Sequence, residues 1–168
     1  MKLTQAQLDQ FNAEGYLVVR DCLPLSDLTP VIDEYAAYID QRAQELYAEG
    51  KITQLYADAP FDQRLALLCR ENSEIYPELD IMQRRGAAAF TFLRNPTLLD
   101  MVECLVGPEI TCSPIQHVRP KLPAGLTSRG SDPHVVHWHQ DAGVTWAEAD
   151  PYFILTVWLP LTSATAAH

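Results

Sequence analysis

The order in which helical and β patterning follow one another predicts an α+β fold, with helices packed on the outside of an antiparallel sheet or barrel. Three observations carry that expectation. Apolar residues recur at helical spacing through most of residues 1–107. After Gly107 the character changes, and residues 109–118, 134–141 and 152–159 read as strands, the last rich in β-branched and aromatic residues. Cap and breaker residues fall at most junctions between helical segments.

Thr4 is placed to cap a first helix, with Gln7 closing a capping box and Leu3 facing Leu8 as a hydrophobic staple. Gly15 stands where a left-handed residue would end it, and residues 16–20 read as a short strand. Ser26 or Asp27 caps a second helix whose Leu28, Val31, Ile32, Tyr35 and Ile39 recur at helical spacing; Leu46 extends the stripe and Gly50 stops it. Residues 61–70 and 86–94 read as shorter helices. Asn95 and Pro96 supply a cap and a first-turn proline before a helix over 97–106 that Gly107 closes. These apolar faces are read as core rather than as cofactor-binding surfaces. Residues 120–133, rich in Pro, Gly and Ser, read as a loop.

The chain has 168 residues, 48% hydrophobic and 20% charged, which is ordinary globular material for one domain with one sizeable core. A formal net charge of -10 opposes binding to nucleic acid or an anionic membrane, since both are polyanions. It also disfavours a highly anionic substrate unless Arg84, Arg85, Arg119, Lys121 and Arg129 gather into a basic pocket. Cys22, Cys69, Cys104 and Cys112 form no Cys-x-x-Cys pair and read as buried free thiols. No signal peptide and no run of about 18 apolar residues is seen, so a soluble protein of the reducing cytoplasm is expected.

The run His137-Trp138-His139-Gln140-Asp141 concentrates metal-binding side chains. On a strand, His137, His139 and Asp141 would share one face, with neighbours about 6.5 to 7 Å apart. Two such side chains can converge on one metal, whereas the outer two would lie about 13 Å apart. His139 with Asp141 is the better pair, because Ala142-Gly143 lets the chain bend beside the acid. An imidazole and a carboxylate, completed by a distant second histidine, make the facial triad that holds Fe(II) with positions open for oxygen and a co-substrate. The plain alternative is a hydrogen-bonded His-Asp pair or a surface strand end. His137 reads as a packed residue or one that supports the ligands.

These residues resemble the phytanoyl-CoA dioxygenase family of Fe(II)- and 2-oxoglutarate-dependent oxygenases. The resemblance runs from the Leu3-Thr4 opening through Phe11 and Glu14-Gly15-Tyr16-Leu17-Val18-Val19 to Leu23. It continues in residues 137–141 and closes with Ile154-Leu155-Thr156-Val157-Trp158-Leu159-Pro160-Leu161. The Trp-His-Gln-Asp run followed by the Val-Trp-Leu segment is its most specific part. The resemblance implies a double-stranded β-helix, a jelly-roll barrel of the cupin type buttressed by N-terminal helices. It implies His139 and Asp141 as catalytic iron ligands, with 2-oxoglutarate and O2 consumed in hydroxylating a small molecule. Gln116 resembles a residue contacting 2-oxoglutarate or substrate, although a solvent-facing strand residue is the equal alternative. Lys121 is the second candidate for the co-substrate carboxylate and Arg119 a candidate for substrate, against ordinary solvated charges. Trp146 is a candidate pocket wall or a turn anchor, and Trp158 is expected in the core.

The family pattern also calls for a distal histidine and, beyond it, an arginine for the far carboxylate of 2-oxoglutarate. After Asp141 the sequence contains one histidine, His168, and no arginine. The expectation is therefore a C-terminally truncated domain over residues 1–168, mainly helical over 1–107 and carrying the first barrel strands over 108–168. Such a chain would bind Fe(II) weakly and turn over no 2-oxoglutarate, and the unpaired sheet edge at 152–159 would invite self-association. Two alternatives stand beside it: a noncatalytic fragment acting as a binding or assembly module, and a cupin-like protein holding zinc through His137 and His139.

Overall fold

The computed structural model describes residues 1–81, 83–113, 116–122 and 140–163. In chain order the helices are α1 (Gln5–Glu14), α2 (Leu25–Ala48), α3 (Phe61–Glu71), α4 (Ile75–Glu78), α5 (Ala87–Phe92) and α6 (Pro96–Val106). Two short 3-10 helices follow, η1 (Asp141–Val144) and η2 (Ala147–Ala149).

The helix termini are set by local chemistry. Thr4 accepts from the Gln7 backbone N–H while the Gln7 side chain accepts from the Thr4 backbone, completing the capping box of α1. Gly15 closes that helix at φ +77, where a Cβ would be strained. The Asn95 side chain accepts from Leu98 N–H, and Pro96 occupies the first turn of α6. Helix α2 departs from expectation at its start: it begins at Leu25, with extended Pro24 at the cap and no side-chain cap bond from Ser26 or Asp27.

The 24 residues of α2 form the spine of the molecule. Val31, Tyr35, Ile39, Ala43 and Leu46 fall three or four residues apart, so one stripe of the helix is buried. Against it pack Ile52 from the following turn, Leu65, Leu68 and Cys69 of α3, Ile75 of α4, and Leu79. Leu46, Leu68, Ile75 and Leu79 are the largest fully buried side chains. Helix α5 is tied to α2 by Glu34, whose carboxylate accepts from Ala88 N–H at 2.8 Å and Ala89 N–H at 3.1 Å. That carboxylate occupies the space a side chain on Gly86 would need. The chain start is held to α6 by the terminal ammonium on Asp100, at 2.7 Å.

Ion pairs surround this core. Arg42 reaches Glu45 at 2.9 Å and Glu78 at 3.0 Å, and Arg64 reaches Asp40 at 2.7 Å. Cys69 is buried, and burial pushes its thiol up to about 11. The Tyr35 hydroxyl is buried with no hydrogen-bond partner among the described residues.

The expected sheet is overturned. Among the described residues there is no β-strand, and all regular structure is helical, so neither an α+β architecture nor the jelly roll implied by the resemblance is present there. The physical reason is that a strand exists only through a partner, and β propensity states only what a segment can do when one is supplied. Residues 16–20 run irregularly, with Tyr16 and Val18 exposed. The described parts of 109–118 form no ladder. Residues 153–160 lie without regular structure, leaving Tyr152, Phe153 and Trp158 exposed. Trp158, expected in the core, is 73% exposed for the same reason: no second layer covers it among the described residues.

Candidate functional site

The part of the chain that bears the candidate site is attached to the helical body by a short strap. The Tyr76 hydroxyl donates to the Pro120 carbonyl at 3.2 Å, and His117 Nδ1 lies 2.9 Å from Asp80 Oδ2. Val118 and Leu122 pack against the core between and beyond these contacts, and Leu161 does so from the far end of the chain. Phe153 meets Phe11 of α1 edge to face, with centroids 6.3 Å apart, a favourable aromatic geometry. Both ends of the Ile154-to-Leu161 segment are therefore anchored on helical elements.

Asp141 opens η1, where the Gly143 N–H donates to the Gln140 carbonyl at 2.9 Å. This corrects the expectation that Asp141 ends a strand. Ala142 and Gly143 do bend the chain beside the acid, but the bend begins at the acid itself, so strand alternation does not fix its direction. The Asp141 carboxylate accepts a hydrogen bond from the Thr156 hydroxyl, fifteen residues further on. His137, Trp138, His139 and His168 lie outside the described residues.

The remaining candidates are not gathered around Asp141 by any contact among the described residues. The Gln116 amide nitrogen turns back on its own segment, donating to Cys112 Sγ at 2.9 Å and to the Ser113 carbonyl at 3.1 Å. Arg119 and Lys121 are exposed on the strap. Trp146 stands at the cap of η2 and is 81% exposed, so it has the place of a turn residue. Sequence reasoning missed Thr156. Spacing pairs no residue with another fifteen positions away, and the signal that could have found it was the co-occurrence of the 137–141 and 154–161 segments.

A separate open groove of about 360 Å³ lies on the helical body, lined by Tyr38, Pro77, Glu78, Gln83 and Arg84. Of the cations considered above for a basic pocket it holds Arg84, and neither Asp141 nor Thr156 lines it. The Arg84 guanidinium stacks over the Tyr38 ring at 3.5 Å, and Glu78 is occupied by the Tyr38 hydroxyl and Arg42. Burial, reinforced by Glu78, pushes the Tyr38 phenol up to about 12.

Among the described residues, no three His, Cys, Asp or Glu side chains gather into a metal-holding group. The donor chemistry at Asp141 nonetheless suits a hard divalent cation: a carboxylate with one oxygen held by a hydroxyl is how ligating carboxylates are oriented. Comparison of the chain with protein-family models, with curated proteins and with solved structures yields no match.

Proposed function

We propose that this chain carries the first two ligands, His139 and Asp141, of an Fe(II) centre of the 2-oxoglutarate-dependent oxygenase type, acting on a small molecule. One observation carries the reading. The Thr156 hydroxyl on Asp141 brings together the two segments whose combination in sequence gives the resemblance its specificity. A chance His-x-Asp triplet gives no reason for its acid to be held by the second of those segments.

When bound, ferrous iron with 2-oxoglutarate supplies O2-dependent hydroxylation of a C–H bond. The chain's own residues bind and orient. In this reading Asp141 offers a carboxylate oxygen and His139 an imidazole nitrogen, with the Thr156 hydroxyl donating to the carboxylate. Gln116 and Lys121, candidates for the co-substrate carboxylate, and Arg119 and Trp146, candidates for the substrate, are brought to Asp141 by no contact among the described residues, and the reading does not rest on them. The net charge of -10 favours a substrate that is not strongly anionic. The free cysteines Cys22, Cys69, Cys104 and Cys112 suit the reducing cytoplasm, and no helix among the described residues is long and apolar enough to cross a membrane.

The test is Mn(II) binding, followed by loss of the free-ion paramagnetic resonance signal on titrating the 168-residue chain. Saturable, weak binding is expected. Asp141→Ala and His139→Ala should each weaken it by tenfold or more, while His137→Ala leaves it intact. The same chain, supplied with Fe(II) and 2-oxoglutarate, should form no succinate. Binding indifferent to Asp141→Ala or to His139→Ala overturns the proposal. Tight zinc binding that survives Asp141→Ala but not His137→Ala overturns it in favour of a zinc protein.

A further inference from the structure

We infer that Thr156 is a positioning residue for the metal-binding carboxylate of Asp141; the inference rests on the reading above and deepens it. The Thr156 side chain carries a single O–H donor, and it is committed to Asp141 Oδ2. A hydroxyl donating to an ionised carboxylate makes a charge-assisted bond, stronger than a neutral one. Both residues are exposed, so water could satisfy each of them separately. Burial does not force the pairing, and an orienting role accounts for it. A carboxylate has two oxygens and about four lone-pair positions, so a bond at Oδ2 restricts its rotation and is compatible with metal binding by the same group.

An orienting residue must itself be held. Thr156 is β-branched and therefore restricted at χ1. It lies three positions after Phe153, which abuts Phe11, and five before Leu161, which packs on the core. Its hydroxyl is thus presented from a segment fixed at both ends by helical elements, and the position of Asp141 is referred through it to the body of the molecule. Supporting bonds of this kind set the direction of a ligand rather than supply it, and their removal typically costs ten- to a hundredfold in metal affinity.

The experiment compares Mn(II) dissociation constants, by paramagnetic resonance, and thermal midpoints, by circular dichroism, for the full chain and its Asp141→Ala, Thr156→Val and Thr156→Ser variants. Thr156→Val keeps the shape and loses the donor. It should weaken Mn(II) binding by about 10- to 100-fold with a thermal midpoint near that of the parent, and Thr156→Ser should restore affinity. Parental affinity in Thr156→Val, alongside loss in Asp141→Ala, overturns this inference and leaves the iron reading standing. Indifference of binding to Asp141→Ala overturns the iron reading, and this inference with it. Weakened binding that Thr156→Ser fails to restore, accompanied by a fallen midpoint, assigns Thr156 a structural role and also overturns the inference.

Discussion

Replacing Gly86 by alanine isolates the latch between α2 and α5. Gly86 has φ -76 and ψ 159, a conformation open to any residue, so the substitution carries no backbone penalty. The cost comes from Glu34. A Cβ at position 86 would lie 2.0 Å from Glu34 Oε1 and 2.1 Å from its carboxyl carbon. The carboxylate can swing away on its flexible chain, so the overlap itself is cheap. In doing so it leaves the Ala88 and Ala89 N–H groups, the first-turn donors of α5 that it now caps. Loss of a helix cap costs about 1 kcal/mol, and a bond from a partly buried donor to a charged group about 1.5–3 kcal/mol. Gly86→Ala should therefore destabilise the protein by about 1–3 kcal/mol, measured by urea unfolding followed by circular dichroism. The decisive comparison is the same substitution in a Glu34→Ala background. With the carboxylate gone the new methyl meets no such obstacle, and Gly86→Ala should fall within about 1 kcal/mol of neutral, since it also reduces the freedom of the unfolded chain. Equal costs in the two backgrounds would show that Glu34 and Gly86 are not coupled and would refute the reasoning.

Two further predictions follow from the helical body. Arg64, donating to Asp40 at 2.7 Å, holds that carboxyl below the usual carboxylate range. A depressed carboxyl contributes stability that is complete above its unfolded value, about 3.9, and lost as pH falls through the folded value. Arg64→Ala should accordingly lose less stability than the parent between about pH 5 and pH 3, by a modest margin because Asp40 is 45% exposed. Urea unfolding at the two pH values checks this, and identical losses would exclude the pair as a source of acid sensitivity. Among the thiols, exposed Cys112 should be alkylated by iodoacetamide at pH 8 well before buried Cys69, whose thiol is pushed up to about 11. Peptide mapping at timed intervals would reveal equal labelling if burial of Cys69 were wrong.

What the sequence made legible was what short-range chemistry decides. Thr4, Gln7 and Gly15 bound α1, and Asn95 with Pro96 opens α6, because caps act within one helical turn. The Val31, Tyr35, Ile39 and Leu46 stripe was legible from periodicity; Ala43, equally buried, was not, since a small side chain adds little to the pattern. Helix α4 spans four residues and is too short to show a period. The strands failed for a different reason. Val157 and Trp158 favour extended chain, but forming a strand depends on residues far away in sequence, and no local pattern specifies them. The same limit applied at the candidate site. Asp141 stood out by residue type, whereas its place at the start of a 3-10 helix rather than at the end of a strand, and its bond to Thr156, depended on tertiary placement.

Among the described residues, the eleven that form the main buried cluster come from one contiguous stretch, from Val31 to Leu79. A nucleus drawn from so short a length closes only small loops, so little chain entropy opposes its assembly, and topologies of that kind reach their native state quickly. Among the described residues, the acid-bearing segment touches that nucleus from its edge, through Leu161. That segment leans on the scaffold without entering its centre, so substitutions at exposed Asp141 or Thr156 should leave the helical body standing.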